Sequence, residues 1–318
     1  MGMRADQNGQ LPLLKSGDPM TKKTAPLCIV LAGCLWGSMG IFVRRFNACG
    51  ISSMNIVFIR SLFTAVMIFA FAAVWKPSVL KVKGKDLWIF AGAGLLSIVF
   101  FNFCYFSGIA AMSLSVAAIL LYTSPIFVML LSAVFFREKI TLRKIAAIAV
   151  SIAGLALVTG IFSNGVAISP IGILYGIGSA VGYALYSIFS RLALNRGYTP
   201  LTITGCSFAF AALFSAFFCD FPLLMDLYTT TPSMLLFSLI FALIVSVFPY
   251  VLYSYGLTGT ENSIAAVIAS VEPVAATVFG MLLFDEYPTV SSVIGIILVL
   301  AALTLCIERP KKKHAESL

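Results

Sequence analysis

Glu272 stands directly before Pro273 in the middle of the apolar run 262–284. A charge at mid-membrane depth costs about 2.5–3.5 kcal/mol on insertion scales, so such a residue faces a cavity or a partner rather than lipid. Three roles fit it: proton carrier, contact for a cationic ligand group, or protonated bond to a neighbouring helix. Arg60 offers the opposite charge, seven residues into the run 53–75. At 1.5 Å per residue that is about 10 Å from the start of a helix. A guanidinium grips carboxylates through a planar fork, so Arg60 suits a ligand carboxylate or Glu272 itself. Its long stem would also let it reach headgroups. Trp36, Asn102, Tyr105, Tyr122, Tyr183, Tyr186, Tyr250 and Tyr253 add polar or aromatic groups within apolar runs. Aromatic faces attract amines, whereas Tyr near a span end is often an interface anchor.

These groups need elements to hold them, and the chain builds those elements twice. The stretch Tyr105 to Thr141 recurs 148 residues later, without a gap, as Tyr253 to Thr289. Gly108 pairs with Gly256, Ser115 with Ser263, Pro125 with Pro273, Phe136 with Phe284, and Glu138 with Glu286. Ser124 takes the place of Glu272 in the first copy, so any ionic site is asymmetric. Each proline removes a helical donor, freeing the carbonyls of Leu121 and Ala269. Matched kinks or breaks in two spans point to a binding site at the midplane. Glu138 and Glu286 each precede a threonine, Thr141 or Thr289, placed to cap the next helix. We expect the acids near those helix starts, where the dipole favours them. Gly33 and Gly37, mirrored by Gly178 and Gly182, allow close helix approach.

Composition sets the solvent. Apolar residues make up 60% of the chain and charged residues 10%, against about 25% charged in soluble domains. Ten apolar runs approach the ~20 residues that a spanning helix needs: 25–43, 53–75, 87–109, 112–136, 142–162, 168–190, 200–219, 233–257, 262–284 and 290–307. Their continuity favours helices over the short alternating strands of a barrel. The expectation is an all-α integral membrane protein: ten transmembrane helices as two inverted five-helix repeats, 25–162 and 168–307. An odd number of spans per copy turns the second copy over. Residues 1–24 and 308–318 are expected as polar tails. The first lacks the apolar segment of a signal peptide, and Asp6 stands where a myristoylation motif needs a hydroxyl.

With this span order, 18 of the 21 Lys and Arg fall on one side of the membrane. Only Arg44 and Arg45 fall on the other, and Arg60 is buried. The positive-inside rule then makes both termini cytoplasmic. Because the charge sits between spans, the net +9 is not a nucleic-acid footprint. The seven cysteines match no metal or disulfide spacing, and the one His, His314, lies in the tail. No metal site, cofactor or Walker-type nucleotide loop is expected.

Trp36-Gly37, Arg60 and the paired segments Pro125 to Glu138 and Pro273 to Glu286 resemble the EamA type of the drug/metabolite transporter superfamily. The likeness covers nearly all of 25–307; Ala147, where the second copy has Gly295, departs from the repeat. The resemblance implies ten helices around a central cavity, with spans five and ten away from it. It also implies a secondary transporter of small organic metabolites. For this chain that means amino-acid-like compounds or amines, exported by alternating access, with protons as a candidate coupling ion. The proposed cavity set is Trp36, Arg60, Asn102, Tyr105, Tyr122, Ser124, Tyr183, Tyr186, Tyr250, Tyr253 and Glu272, with helix breaks at Pro125 and Pro273. Two rivals are an integral-membrane enzyme acting on lipid, for which no catalytic set can be assembled, and a non-transporting scaffold or sensor.

Overall fold

The chain was analysed as a computed structural model that describes residues 19–161, 169–284 and 287–306. All regular structure among the described residues is helical. The first half comprises α1 (Pro19–Gly37), α2 (Met39–Ala48), α3 (Ser53–Trp75), α4 (Leu87–Gly94), α5 (Phe100–Ala111), α6 (Leu114–Leu121), α7 (Ser124–Phe136) and α8 (Leu142–Val158). The second comprises α9 (Pro170–Asn195), α10 (Pro200–Ser215), α11 (Phe221–Thr230), α12 (Ser233–Ala242), α13 (Phe248–Gly256), α14 (Asn262–Ala269), α15 (Glu272–Phe284) and α16 (Val290–Cys306). Residues 19–24, expected as tail, are the first turns of α1. Glu286 and the tails 1–18 and 307–318 lie outside the described residues.

Eight helical stretches are long and apolar enough to cross a membrane, with mean hydropathy from 1.5 to 2.6. Several combine two of the helices above, such as Thr24–Ala48, Gly84–Ala111, Leu114–Phe136 and Asn262–Phe284. The expected fifth and tenth spans are α8 and α16, at 17 residues each. These two pack on each other. An added Cβ on Gly154 would lie 2.7 Å from Gly295 O, and one on Gly295 would lie 2.4 Å from Gly154 O, so the helix backbones touch. Arg143, at the start of α8, bonds Leu305 O at the end of α16. The two helices therefore run antiparallel. Glycine at 154 and 295 compensates for Ala147, because the close approach happens one turn or more along from it.

The duplication extends to the backbone register. α6 and α14, α7 and α15, and α8 and α16 each begin and end 148 residues apart. A π-helical turn at Leu95–Val99 recurs, again 148 residues on, at Leu243–Val247. These turns were not expected, since only the second is followed by a proline, Pro249. A π-turn frees a carbonyl, and in lipid-facing helices freed groups must find partners. Asn102 Nδ2 supplies one to Ile98 O at 2.7 Å.

Both prolines stand in the first turn of a helix that follows a short break. Between α6 and α7 the chain turns at Tyr122-Thr123, where Thr123 N and Oγ1 both donate to Leu120 O. Between α14 and α15 it turns at Ser270-Val271, held by Ser270 N to Val267 O and Val271 N to Ile268 O. Pro125 and Pro273 then occupy the first turn of the following helix, where a missing N–H costs nothing. Glycines admit α1 to the second break. A Cβ on Gly37 would lie 2.7 Å from Glu272 O, and one on Gly33 would lie 3.2 Å from Ala269 O. On α9, Gly182 lies in the same way against Leu96 and Phe101. The small-residue stripes are packing surfaces.

The two ends of the bundle differ in chemistry. One joins the loops around 83–86, 137–144, 191–198 and 260–263 through Lys144, Arg191 and Arg196. The other joins 48–55 to 219–227, where Asp220 N donates to Asn55 Oδ1 at 2.9 Å. The first is termed the basic end below.

Candidate substrate cavity

Glu272 is the first residue of α15, so the open N-terminus of a half-helix faces its carboxylate. That dipole stabilises an anion at a depth where lipid would not. Tyr183 Oη, from the middle of α9, donates to Glu272 Oε2 at 3.3 Å. Glu272, Tyr183, Tyr122 and Tyr105 all keep partial exposure although they lie well inside their apolar stretches. Their neighbours Ser124, Tyr186 and Tyr253 are at most 5% exposed. Four partly exposed polar side chains are thus grouped among buried ones, with the carboxylate in their midst.

Five helices close a continuous aromatic wall around it. Trp36 of α1 lies 5.2 Å from Tyr250, 5.4 Å from Tyr253 and 6.4 Å from Tyr183, measured between ring centroids. Tyr186 stands edge-on to Tyr250 at 4.8 Å, as does Phe208 of α10 at 4.7 Å. Phe101 of α5 joins Tyr183 at 5.6 Å and stacks on Tyr105 at 6.1 Å. The buried phenols are anchored by serines: Tyr253 to Ser187 at 2.7 Å, and Tyr186 to Ser254 at 3.3 Å. Fixed hydroxyls and edge-to-face rings make this wall stiff, which favours a defined ligand pose.

Arg60 forms the far side. It is 2% exposed, so it does not reach headgroups. It also makes no ion pair with Glu272. Its guanidinium lies 6.0 Å from the Phe208 ring, and Nη1 contacts Met39 Sδ at 3.8 Å. Arg60 Nε and Nη2 are buried without partners among the described residues, as is Trp36 Nε1. Buried donors of this kind normally find an acceptor, and an unpaired guanidinium is especially costly. The aromatic cluster thus joins Glu272, through Tyr183, to the buried donors of Arg60 and Trp36.

The structure brings Trp36, Tyr105, Tyr183, Tyr186, Tyr250 and Tyr253 into this one cluster, with Glu272 joined to it through Tyr183. Tyr122 packs beside Glu272 through Val271 and Val274. Ser124 is buried at the start of α7. Asn102 is committed to the π-turn carbonyl rather than to the aromatic wall. Sequence reasoning missed Phe101, Phe208, Ser187 and Ser254. None of the four carries a signal outside the fold.

Glu138 required correction. It was expected near the start of the helix that follows it. Thr141 does cap α8, through Lys144 N at 3.3 Å. The Glu138 carboxylate instead crosses to the other repeat. It accepts from Asn262 N at 2.8 Å, Ser263 N at 3.3 Å and Ser263 Oγ at 2.7 Å.

The chain belongs to the EamA-like transporter family, which matches residues 23–160 and 170–307. It is a membrane transporter of the drug/metabolite transporter type. An uncharacterized transporter of Archaeoglobus fulgidus is 27% identical over 281 residues, covering 87% of this chain and 94% of that protein. The uncharacterized transporter YxxF of Bacillus subtilis is 23% identical, covering 92% of each. The pseudopaline exporter CntI of Pseudomonas aeruginosa is 27% identical over 304 residues, covering 95% of this chain and 99% of its own. A solved crystal structure shares the fold at a TM-score of 0.73 and 19% identity, covering 89% of this chain and 96% of that one.

Proposed function

We propose that this chain is a secondary active transporter that moves small zwitterionic or amine metabolites by alternating access. Ten spans form two inverted five-helix units, 25–162 and 168–307, in the cell membrane with both termini cytoplasmic. The antiparallel pairing of α8 with α16 supports the inversion, because these are the matched fifth elements of the two units. A second matched pair agrees: Asn55 of α3 meets Asp220, just beyond α10, while Ile68 of α3 meets Gly205 of α10. The cluster of basic loops at one end supports the orientation.

The observation that carries the proposal is the pairing of chemistries across the cavity. Glu272 sits at a half-helix start on one wall, and the unpartnered Arg60 and Trp36 donors lie across the aromatic faces. A ligand carboxylate satisfies Arg60, and an ammonium group sits between Glu272 and the Tyr and Trp rings. Proton exchange at Glu272 is the coupling step of this scheme. A relative named as a pseudopaline exporter supports outward movement. The test is flux in proteoliposomes, with and without a pH gradient, across a panel of amino acids and amines. Thermal shift on the same panel reports binding, since a ligand of the folded state raises its melting temperature. A panel that neither shifts nor moves, in protein shown to be folded, rejects the substrate class. Proton-linked flux that survives Glu272→Gln rejects the coupling role.

A further inference from the structure

We infer that Glu138 is a latch between the two halves, holding the basic end shut. Its carboxylate closes over the first two backbone N–H groups of α14, at Asn262 and Ser263, and takes the Ser263 hydroxyl as well. Glu138 lies just past α7, whereas α14 belongs to the other copy, so these bonds exist only while the two are together. α7 and α14 are the halves of broken helices that flank the cavity, and neither is continuous with the element it clasps.

Three neighbours brace the clasp. Lys144 is buried, donates to Lys139 O at 2.9 Å, and pairs with Glu261 directly and with Glu138 at 3.8 Å. Arg191 of α9 donates to Asn262 Oδ1 at 2.8 Å and to Thr260 O. Asn262 Nδ2 in turn donates to Ser187 O at 3.2 Å. Ser187 is the residue that anchors Tyr253 in the cavity wall. Latch and aromatic wall therefore share one hydrogen-bonded chain, which gives a ligand that displaces Tyr253 a physical route to the clasp.

Among the described residues, the matched positions at the other end sit in a different setting; Glu286, the counterpart of Glu138, lies outside them. Leu114, the counterpart of Asn262, is 61% exposed, while Asn262 is fully buried. Ser115, the counterpart of Ser263, spends its hydroxyl on Thr159 O at 2.6 Å, within its own half. The entries to α6 and α14 thus differ in burial and in hydrogen-bond partner within a single molecule. This is the asymmetry expected of a transporter closed at one end, and the inference rests on the alternating-access reading above.

The test uses the full chain with its seven native cysteines replaced and one reporter, Ser270→Cys, at the break between α14 and α15. A membrane-impermeant maleimide is applied to each face of vesicles of known orientation. With Glu138 intact, labelling from the basic end is slow. Glu138→Ala, confirmed folded by its melting curve, should raise that rate at least about tenfold and lower labelling from the opposite face. Unchanged rates from both faces overturn the latch. Should Glu138→Ala fail to fold, Lys139→Cys and Glu261→Cys, exposed positions that both meet Lys144, are joined by a short cleavable thiol bridge in place of the reporter, with Glu138 intact. Bridged protein should stop transporting and recover on cleavage; full flux while bridged overturns the latch. Labelling needs no substrate, so the two readings fail separately. A latch-dependent rate with no metabolite moved leaves the latch standing and rejects the transport scheme. Flux with latch-independent labelling does the reverse.

Discussion

The two broken helices, α6–α7 and α14–α15, share a backbone and differ in chemistry. Their lengths, break positions and prolines coincide at a spacing of 148 residues. At the break, the first copy places Ser124 and the second Glu272; at the entry to the first half-helix they place Leu114 and Asn262. Duplication preserved the backbone: both breaks are closed by local turn bonds, at Thr123 N to Leu120 O and Ser270 N to Val267 O. It kept the pairs Ser115 and Ser263, Glu138 and Glu286, and Thr141 and Thr289, but not the polar group at the break, where Ser124 has a different task from Glu272. The two copies teach that function in this chain lies in the departures from its repeat.

The sharpest way to break that comparison is to make the copies alike. Ser124→Glu sets an acid at the buried start of α7, without the Tyr183 hydroxyl that serves Glu272. It should destabilise the protein by about 2.5–3.5 kcal/mol, read as a lower melting temperature in detergent. A variant as stable as the parent would mean that the first break is as polar as the second.

The converse substitution, Glu272→Gln, keeps the shape and removes the charge. Hydrogen bonds to charged groups contribute about 1.5–3 kcal/mol, so ligand affinity should fall roughly 10- to 150-fold with the fold intact. Calorimetry on the best ligand from the panel measures this directly. Equal affinity would move the binding role away from the second break.

Packing around the second break gives a third contrast. Gly37→Ala drives a methyl into the backbone of Glu272 and Ala276, and overpacking of this kind costs about 1–3 kcal/mol. Gly40→Ala, three residues on, meets nothing within 4 Å and should stabilise α2 by about 0.5–1 kcal/mol. Matching melting temperatures for the two variants would dissolve the claim that α1 leans on the break. The smallest effect is expected for Tyr253→Phe, which loses the Ser187 bond at 2.7 Å, about 1 kcal/mol. It leaves Tyr186→Phe, bonded more loosely to Ser254 at 3.3 Å, as the milder control.

Much of this fold could be read from periodicity and repetition, and particular residues show why. Pro125 and Pro273 announced the breaks because proline removes the same hydrogen bond in any context. Thr141 announced the cap of α8, since a threonine before an apolar run has few better local partners. Gly33 and Gly37 marked a contact face, though not which helix would meet it. Glu138 was misplaced for a simple reason. Its nearest helix start in sequence is that of α8, but Thr141 already serves that start, and α14 offers two N–H groups from 124 residues away. The π-turns were invisible because Leu95–Val99 and Leu243–Val247 contain nothing that an ordinary helix would refuse. Phe208 and Ser187 gave no warning either: a phenylalanine and a serine in an apolar helix are ordinary until a partner faces them.

The amino-acid order alone determined that lipid surrounds this chain, that its architecture is doubled, and where its helices must open. Those properties follow from transfer free energies and from proline, which act locally and need no knowledge of neighbours. Only the folded arrangement decided that Tyr183 meets Glu272, that Arg60 is left without an acceptor, and that Glu138 closes on the opposite repeat. Each depends on side chains far apart in sequence arriving within hydrogen-bond reach, and such distances are set by how helices pack rather than by any one segment.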